Sequence, residues 1–464
     1  MEKSYNAVLK VTNPYDQKII YELPWDRGKR LNEKIDAVRE AYKTWRNVPI
    51  DERIRRVGRG LEYFRSNAEA IARDITLQMG KPIRQSRREV ETFFDRAEYM
   101  LSIAKDALSP EILPEKAGFH RRIEHAPWGV VLNIAAWNYP LLVPVNAIVP
   151  ALLAGNTVIL KHSPLTPLCG GHFENAFGKL DPPSLVASLV VTNEQASRLI
   201  LDRRIDYVAF TGSVATGHRV YRRAAKRLID AGLELGGKDP AYIAEDADLD
   251  LAVEGVVDGA CYNAGQSCCA VERVYVHRSI YAPFLERAMS ALEKYRLGNP
   301  IDEETTIGPL AIRSGLKTLD RQVRDAVRRG GRLLLGGTRP GGTRGNFYLP
   351  TLLADVPSDA EAMQEESFGP LLPVAAVSDD DEALARMAES RYGLTASVWT
   401  RSRERAERFA RELEAGTVYQ NRCDYLDPAL PWTGFRESGL GSTLSRYGFH
   451  HVTRRKSIHF KTGR

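Results

Sequence analysis

Cys268 is the residue best suited to covalent chemistry. It lies in the segment Gly-Ala-Cys-Tyr-Asn-Ala-Gly-Gln-Ser-Cys-Cys-Ala at positions 259–270, where Gly265 and Gln266 break the preceding helical pattern. A cysteine at such a turn is open to substrate, and nearby backbone N–H groups favour its nucleophilic thiolate form. A buried cysteine that packs as a small apolar residue is the alternative. A metal site is not predicted, because the chain has no CxxC pair and His277 stands at no recognised zinc-ligand spacing.

Glu234 is the candidate general base. It stands between two leucines and precedes Gly-Gly-Lys-Asp. Apolar surroundings raise the pKa of a carboxylate, which suits proton abstraction near neutral pH. A glutamate that caps a turn is the alternative. Residues 232–238 also match GxxxxGK, but Asp239 stands where a phosphate-binding loop needs serine or threonine, so that loop is not predicted.

A third segment, Phe-Thr-Gly-Ser-Val-Ala-Thr-Gly at positions 210–217, follows an apolar run and opens a helical pattern. Gly212 permits close approach of the backbone, and a helix N-terminus offers free N–H groups to the pyrophosphate of a dinucleotide. The segment is not GxGxxG, so the standard dinucleotide fingerprint is absent and a plain turn is the alternative.

Two further segments complete a family pattern, Pro-Trp-Gly-Val-Val-Leu-Asn-Ile-Ala-Ala-Trp-Asn-Tyr-Pro at 127–140 and Glu-Glu-Ser-Phe-Gly-Pro at 365–370. Together with the glycine-rich residues 432–441, the five segments resemble the aldehyde dehydrogenase superfamily in kind and in order. The resemblance extends over nearly the whole chain and implies an NAD(P)-dependent enzyme that oxidises an aldehyde to a carboxylic acid. A non-catalytic relative of the same fold and a thiol esterase that uses the same cysteine are the alternatives.

The resemblance implies a role for each chemical residue. Cys268 rather than Cys269 would attack the aldehyde carbon, because the family nucleophile follows Gly-Gln by two places. The side-chain amide of Asn138 and the backbone N–H of Cys268 would stabilise the oxyanion. Loss of hydride would leave a thioester, and Glu234 would activate the water that hydrolyses it. Retention of Glu234 favours hydrolysis over acyl transfer to coenzyme A.

The resemblance also implies a binding site for NAD or NADP. Glu366 would bind the nicotinamide ribose with Phe368 beside it, and Lys161 would reach the adenosine ribose. The other predicted cofactor contacts are Trp137, Ser163, Pro164, Gly212, Ser213, Gly217 and Leu235. Relatives selective for NAD often carry a glutamate at the position of Pro164. Because no carboxylate repels a 2′-phosphate here, use of both cofactors is predicted. His162, which replaces the usual proline, is interpreted as a filler rather than a base.

The substrate pocket is the least constrained part of the prediction. Four aromatic residues, Trp137, Tyr139, Tyr425 and Trp432, correspond to pocket positions in relatives, which favours an aromatic or medium-length aliphatic aldehyde. Arg422 could instead bind the carboxylate of a semialdehyde, with an ordinary surface arginine as the alternative.

The elements that must position these residues follow from hydrophobic periodicity. Residues 31–45 carry apolar side chains every three or four positions, and helical patterns continue to Leu101. Beyond them, apolar runs alternate with helical stretches, which is typical of parallel sheets covered on both faces. Predicted strands are 130–135, 157–161, 188–192, 207–211, 241–243, 273–276, 371–377 and 396–400. Residues 330–345, rich in glycine and arginine, are predicted to form a turn-rich surface excursion.

With 464 residues the chain is longer than a single hydrophobic core usually accommodates, so two large domains are expected. The expected fold class is α/β, with two doubly wound αβα domains and a small β arm. The family pattern assigns residues 1–108 and 128–235 to NAD(P) binding, 236–445 to catalysis, and 109–127 and 446–464 to an oligomerisation arm. Residues 118–125 and 451–460 look like exposed strands, and unpaired edges are hazards in a monomer, so a homodimer or homotetramer is expected.

Composition excludes several classes. The 65 basic and 59 acidic residues are interspersed, with a net charge of +6, so neither a nucleic-acid nor a membrane partner is predicted. Residues 129–155 lack charge, but three prolines and three asparagines argue against a membrane helix and for a buried strand, turn and helix. Five cysteines and no apolar leader in residues 1–20 favour a reducing, cytoplasmic location.

Overall fold

Two parallel sheets, each with helices on both faces, form the framework of the protein. The computed structural model describes residues 8–462. Residues 1–7, which belong to the predicted cofactor domain and to the segment without an apolar leader, lie outside the described residues, as do residues 463 and 464 of the predicted arm. Within residues 8–462, no helix is long and apolar enough to cross a membrane.

The first part of the chain runs from a β-hairpin through four helices to the strands of the first sheet. Its elements are β1 (Val8–Thr12), β2 (Ile19–Pro24), α1 (Gly28–Trp45), α2 (Ile50–Ser66), α3 (Ala68–Met79), α4 (Ile83–Ala107), β3 (Glu111–Ile112), β4 (Phe119–Pro127), β5 (Val130–Ile134), α5 (Leu142–Leu153), β6 (Thr157–Lys161), α6 (Pro167–Phe177), β7 (Val186–Ser188), α7 (Asn193–Leu199), β8 (Tyr207–Thr211), α8 (Val214–Ala225) and β9 (Ala231–Glu234).

The second part forms the other large sheet and the C-terminal strand. Its elements are β10 (Asp239–Ile243), α9 (Leu249–Cys261), β11 (Val271–His277), α10 (Tyr281–Leu292), α11 (Arg313–Arg328), β12 (Arg332–Leu335), β13 (Thr351–Ala354), α12 (Glu361–Gln364), β14 (Leu371–Val377), α13 (Asp380–Ala388), β15 (Tyr392–Gly393), β16 (Thr395–Trp399), α14 (Arg403–Glu412), β17 (Thr417–Gln420), β18 (Trp432–Thr433), β19 (Phe435–Arg436), β20 (Gly439–Leu440), β21 (Ser442–Thr443), α15 (Ser445–His451) and β22 (Thr453–Lys461).

The first sheet has the strand order β20-β9-β8-β5-β6-β7, parallel except where β20 meets β9. Successive side chains of a strand point to opposite faces. Accordingly Val131 joins one apolar cluster with α2 to α6, while Val130 and Leu132 join another with α1, α7 and α8. The direction of winding reverses between β5 and β8, and ligands of such sheets bind beyond the carboxyl ends of strands at the point of reversal.

The second sheet has the order β12-β13-β14-β11-β10-β16-β17, again parallel apart from the edge pair β12 and β13. Tyr242 and Tyr275 point into one apolar cluster and Ile243 and Val274 into the other, so both faces are covered. The third sheet, β22-β4-β3, is antiparallel and stands apart from these layers. Strand β20 joins the first sheet although the sequence analysis groups its residues with the second domain.

Most predicted elements are confirmed, and one predicted strand is displaced. The strand expected at 188–192 is β7 (Val186–Ser188), because the backbone of Val190 turns away to hydrogen-bond with Asp26. The excursion predicted at 330–345 is largely exposed and turn-rich, as expected, and it also contains the short edge strand β12, which pairs with β13. The helices predicted from residue 31 to Leu101 are present as α1 to α4, and the β1–β2 hairpin precedes them.

Candidate active site

A cavity of about 1840 Å³ lies between the two large sheets. It gathers most of the residues predicted from sequence: Trp137, Asn138, Tyr139, Gly212, Ser213, Glu234, Leu235, Cys268, Glu366, Phe368, Arg422, Tyr425 and Trp432. Four predicted cofactor residues do not line it, namely Lys161, Ser163, Pro164 and Gly217.

Asn138 is held in the turn between β5 and α5 by its own backbone. Its carbonyl accepts hydrogen bonds from Lys81 Nζ and from Asn263 Nδ2, both at 3.0 Å. Lys81 is fully buried and ion-paired with Glu89, whose other oxygen accepts from the Leu141 N–H at 2.9 Å at the start of α5. The side-chain amide of Asn138 forms no hydrogen bond within residues 8–462 and borders the cavity. The backbone of Asn138 is therefore fixed, and its side-chain amide is available to a ligand in the cavity.

A strained turn presents Cys268. Asn263, Ala264 and Gly265 all have left-handed backbone, with φ of 52°, 55° and 70°. A side chain at Gly265 would lie 2.3 Å from the carbonyl oxygen of Gly369, so only glycine fits. Such strain persists where the surroundings over-determine it, commonly at functional sites. The turn leaves the Cys268 thiol half-buried at the cavity wall.

The adjacent Cys269 is in a different environment. Its buried thiol donates to Asp424 Oδ1 at 2.9 Å, and Ser267 Oγ donates to the same oxygen at 2.8 Å. Contact with Cys268 and burial raise the pKa of the Cys269 thiol well above its usual value. Cys269 is therefore held as a neutral thiol, and Cys268 is the more accessible nucleophile of the two.

Glu234 ends β9 and faces the same cavity. Thr443 donates a short hydrogen bond to one carboxylate oxygen, and Thr211 Oγ1 donates to the other at 3.3 Å. Burial raises the pKa of Glu234, and these hydroxyls together with the positive charge of Arg96 offset part of that rise. A carboxylate with a raised pKa is matched to accepting a proton near neutral pH.

Glu366 closes the cavity over the two glycines that follow Leu235. A side chain at Gly236 would lie 2.4 Å from Glu366 Oε1, and the Gly237 N–H donates to that oxygen at 3.3 Å. Burial and the nearby charge of Glu272 raise the pKa of Glu366 to about 8. Its carboxyl group is thus placed to bind a polar group in the cavity, such as a sugar hydroxyl.

A buried ion pair positions the neighbouring Phe368. Lys238 Nζ donates to Glu272 at 2.8 Å and to Ser367 Oγ at 2.9 Å, and Glu272 accepts the N–H of Phe368 at 2.9 Å. The Phe368 ring then meets Trp137 edge to face, with 5.5 Å between centroids. Lys238 is the lysine of the GxxxxGK match at residues 232–238. It therefore holds Glu272 and Ser367 in place rather than binding a phosphate.

The residues fit a dinucleotide at the N-terminus of α8. No side chain caps this 12-residue helix, which leaves its first N–H groups free for an anion. A side chain at Gly217 would lie 2.5 Å from Leu235, so glycine brings the helix close to the segment after β9. Gly217 thus acts through packing rather than by lining the cavity.

Lys161, Ser163 and Pro164 lie at or just after the end of β6, outside the cavity that contains Cys268 and Glu234. Lys161 Nζ donates to Asn193 Oδ1 at 2.9 Å, and burial lowers its pKa to about 8. His162 bridges Pro140 O at 2.9 Å and Thr166 Oγ1 at 3.0 Å, and burial lowers its pKa to about 4. His162 is therefore a neutral structural link between this loop and the turn that carries Asn138.

The four substrate-pocket candidates differ in exposure. Trp432 is buried, and Tyr139 is half-buried with Lys81 Nζ 4.0 Å from its ring centroid. Arg422 and Tyr425 are exposed, and the guanidinium stacks on the ring at 3.3 Å. Arg422 consequently lies at the rim of the cavity.

Several residues at the site carried no recognisable sequence signal. The most informative are Lys81, Glu89, Arg96, Asn263, Asp424 and Thr443. Each acts through a contact with a residue more than 40 positions away or through a turn with unusual φ. Spacing along the chain does not reveal contacts of this kind.

Comparisons with known proteins agree with this geometry. The sequence model of the aldehyde dehydrogenase family matches residues 1–458. The chain is 34% identical over 444 residues to the NAD(P)⁺-dependent succinate semialdehyde dehydrogenase Sad of Escherichia coli (strain K12), covering 94% of this chain and 95% of that protein. It is 34% identical over 447 residues to the NADP⁺-dependent succinate-semialdehyde dehydrogenase of Deinococcus radiodurans, covering 96% and 93%.

A solved structure shows the same fold. The crystal structure of lactaldehyde dehydrogenase from Escherichia coli matches with a TM-score of 0.94 and 32% identity, over 99% of this chain and 97% of that chain. The predicted α/β fold class is confirmed by this match. The chain therefore belongs to the aldehyde dehydrogenase family and is an NAD(P)⁺-dependent oxidoreductase that acts on aldehydes.

Proposed function

We propose that aldehyde oxidation proceeds through a thioester on Cys268. The observation that carries the proposal is the placement of Cys268, Asn138 and Glu234 on one cavity, while Cys269 is occupied by Asp424. The Cys268 thiolate attacks the aldehyde carbon, and the new C–S bond converts the carbonyl oxygen to an oxyanion. When bound, NAD(P)⁺ supplies the hydride acceptor for this oxidation. Rapid quenching with aldehyde and cofactor, followed by peptide mass spectrometry, tests whether the acyl group is on Cys268.

Asn138 stabilises the oxyanion in this scheme. Its amide is presented by a turn that Lys81 and Asn263 fix through the backbone carbonyl. Donors that are already oriented need no rearrangement when charge develops, which is why each is worth about 3–4 kcal/mol in the transition state. The backbone N–H of Cys268 is the second donor.

Glu234 then activates water. Its carboxylate takes one proton from the water as the hydroxyl oxygen bonds to the thioester carbon, and the Cys268 thiolate leaves with its electron pair. The products are the carboxylic acid and the free thiolate. Thr443 and Thr211 keep the carboxylate oriented toward the cavity.

The proposed cofactor contacts divide into two groups. Glu366, Phe368, Trp137 and Leu235 border the cavity near Cys268 and would hold the nicotinamide half. Gly212 and Ser213 would bind the pyrophosphate, and Lys161, Ser163 and Pro164 would contact the adenosine ribose. This arrangement assigns the first sheet, formed mainly by residues 128–235, to cofactor binding and the second to catalysis.

The Pro164 loop should allow both NAD and NADP. We expect Pro164→Glu to lower kcat/KM for NADP about tenfold, because the new carboxylate repels the 2′-phosphate at short range. Initial rates with each cofactor at fixed aldehyde measure the effect. Pro164→Gln is the matched control, with similar size and no charge. Equal NADP kinetics in the two variants would mean that this loop does not contact the adenosine ribose.

We also propose that the protein forms a homodimer or homotetramer through β22. This nine-residue strand pairs with β4 in regular register along one edge, and its side chains are mostly exposed. Long exposed strand edges tend to pair with another chain. Sedimentation equilibrium should give two or four times the chain mass of 51.9 kDa, whereas a single species at 51.9 kDa would contradict the proposal.

A further inference from the structure

Arg96 is a buried cation at the wall of the cavity without an acidic partner. It lies on α4, is 6% exposed and borders the same cavity as Cys268. Its Nη1 donates to Leu142 O at 3.3 Å and to Asn146 Oδ1 at 3.2 Å, both on α5. Its Nε is buried with no hydrogen-bond partner, and no carboxylate within residues 8–462 forms an ion pair with it. A buried, unpaired arginine is costly to keep unless a ligand completes it.

The acidic side chains around Arg96 have other partners. Glu89 is paired with Lys81 and accepts the N–H groups at the start of α5. Glu234 accepts from Thr443 and Thr211, and Asp424 accepts from Ser267 and Cys269. Arg96 therefore keeps a positive charge that faces the cavity and that no side chain neutralises at contact distance.

We propose that Arg96 binds a carboxylate at the far end of the aldehyde, so that the substrate is an ω-oxo carboxylic acid. This inference rests on the proposed function, since it assumes that the cavity receives the aldehyde. Nη1 is already engaged and Nε is buried, which leaves Nη2, without a hydrogen-bond partner within residues 8–462, to donate to a carboxylate oxygen. A single negative charge neutralises the single guanidinium, whereas a phosphate dianion would leave one charge buried and unpaired.

Asn146 supplies the second donor of this subsite. It is buried, borders the cavity, and uses only its Oδ1 to accept from Arg96, so its amide N–H groups are available to the same carboxylate. Leu142 and Val143 on α5 offer apolar surface for the methylene chain. Arg422, which the sequence offers as a candidate for binding the substrate carboxylate, is instead exposed and stacked on Tyr425.

The first experiment compares an acidic and a neutral aldehyde of equal length. For the wild type and for Arg96→Met, kcat/KM is measured with succinic semialdehyde and with butanal. We expect the ratio of the two values to fall about 100-fold in the variant, since hydrogen bonds to charged groups are the strong ones. Arg96→Lys should lose an intermediate amount, because lysine keeps the charge but cannot hold Leu142 O and Asn146 Oδ1 while it donates to the carboxylate. Arg84→Met removes an exposed arginine from the same helix outside the cavity and should keep the wild-type ratio.

Two outcomes of this experiment overturn the proposal. An equal loss for both aldehydes would mean that Arg96 serves the charge of Glu234 rather than the substrate. An unchanged ratio would mean that the carboxylate does not reach Arg96.

A binding experiment separates failure of the subsite from failure of the proposed function. Titration calorimetry of the full chain with succinate, with butyramide as the uncharged comparison of the same length, reports the subsite without turnover. Succinate should bind the wild type at least tenfold more tightly than butyramide, and Arg96→Met should abolish this preference. If succinate binds through Arg96 but no aldehyde is oxidised, the proposed reaction is wrong and the subsite stands. If aldehydes are oxidised but succinate shows no preference, the subsite is wrong and the reaction stands.

Discussion

Cys268→Ala should abolish aldehyde-dependent formation of NADH and NADPH, with a loss of at least about 10⁴-fold in kcat. Alanine cannot form the C–S bond, so the carbonyl carbon never becomes the tetrahedral centre from which oxidation occurs. Asn138 and Glu234 remain in place, but both act on an adduct that the variant does not make. Absorbance of the reduced cofactor at saturating aldehyde measures the loss, and thermal unfolding checks that the variant is folded.

Cys269→Ala is the matched control for that variant. It removes the neighbouring thiol, whose hydrogen bond to Asp424 is backed by a second one from Ser267. We expect a stability cost of about 1–2 kcal/mol from the small cavity and turnover that remains readily measurable. Full activity in Cys268→Ala together with loss of activity in Cys269→Ala would mean that Cys269, not Cys268, forms the thioester. Activity in both single variants would be resolved by the double variant Cys268→Ala/Cys269→Ala, whose continued turnover would mean that no thioester is formed.

The backbone framework could largely be predicted from the sequence. The strands that border the site, β5, β6 and β8, are buried on both faces, so they read as continuous apolar runs with sharp ends. The helical period of α1 is equally clear, since one face packs on the first sheet. The failures occurred where pairing depends on distant partners. β12 is an exposed edge strand, so its sequence lacks the buried apolar pattern of a central strand. β7 ends at Ser188 because the backbone N–H of Val190 donates to the Asp26 carboxylate instead of pairing in the sheet.

The residues that carry the proposed chemistry are also predictable from the sequence, because they lie in segments whose order resembles a family. The residues that hold them are not. Thr443 reaches Glu234 from 209 positions away, and Asn263 reaches the Asn138 carbonyl from 125 positions away. The fold brings such pairs together only after both sheets have formed. Arg96 shows the same limit, because a lone arginine in a helical pattern gives no sign that it will be buried beside a cavity.

This difference explains why the reaction is easier to infer than the substrate. The reacting atoms need fixed donors, and their positions follow from strand ends and turns that the sequence marks. The proposed selectivity depends on side chains that line the cavity from neighbouring helices, Arg96 from α4 and Asn146 from α5. Both the expectation of an aromatic pocket and that of a carboxylate contact at Arg422 came from positions along the chain, whereas the buried arginine is visible only in three dimensions.

Glu234→Gln should separate oxidation from hydrolysis. Glutamine keeps the size of the side chain and can still accept from Thr443, so the site should remain assembled. Attack and oxidation need Cys268 and Asn138, while only the water step needs a carboxylate. The variant should release one equivalent of reduced cofactor per active site in a rapid burst, after which turnover slows by about 10²–10⁴-fold.

Rapid mixing with aldehyde and NAD(P)⁺, followed by intact-mass measurement, should detect the acyl adduct that accumulates.

The wild type should also lose kcat as pH falls, because the base acts only when ionised and burial raises the pKa of Glu234. Thr443→Val removes a hydrogen bond that lowers the pKa of Glu234, so the pKa should rise in this variant. The variant should still form the thioester, and the acid limb of its kcat profile should move to higher pH. A missing burst with no adduct would assign Glu234 to the activation of Cys268. Undiminished steady-state turnover would remove Glu234 from catalysis, because the attacking water would then be deprotonated without its carboxylate.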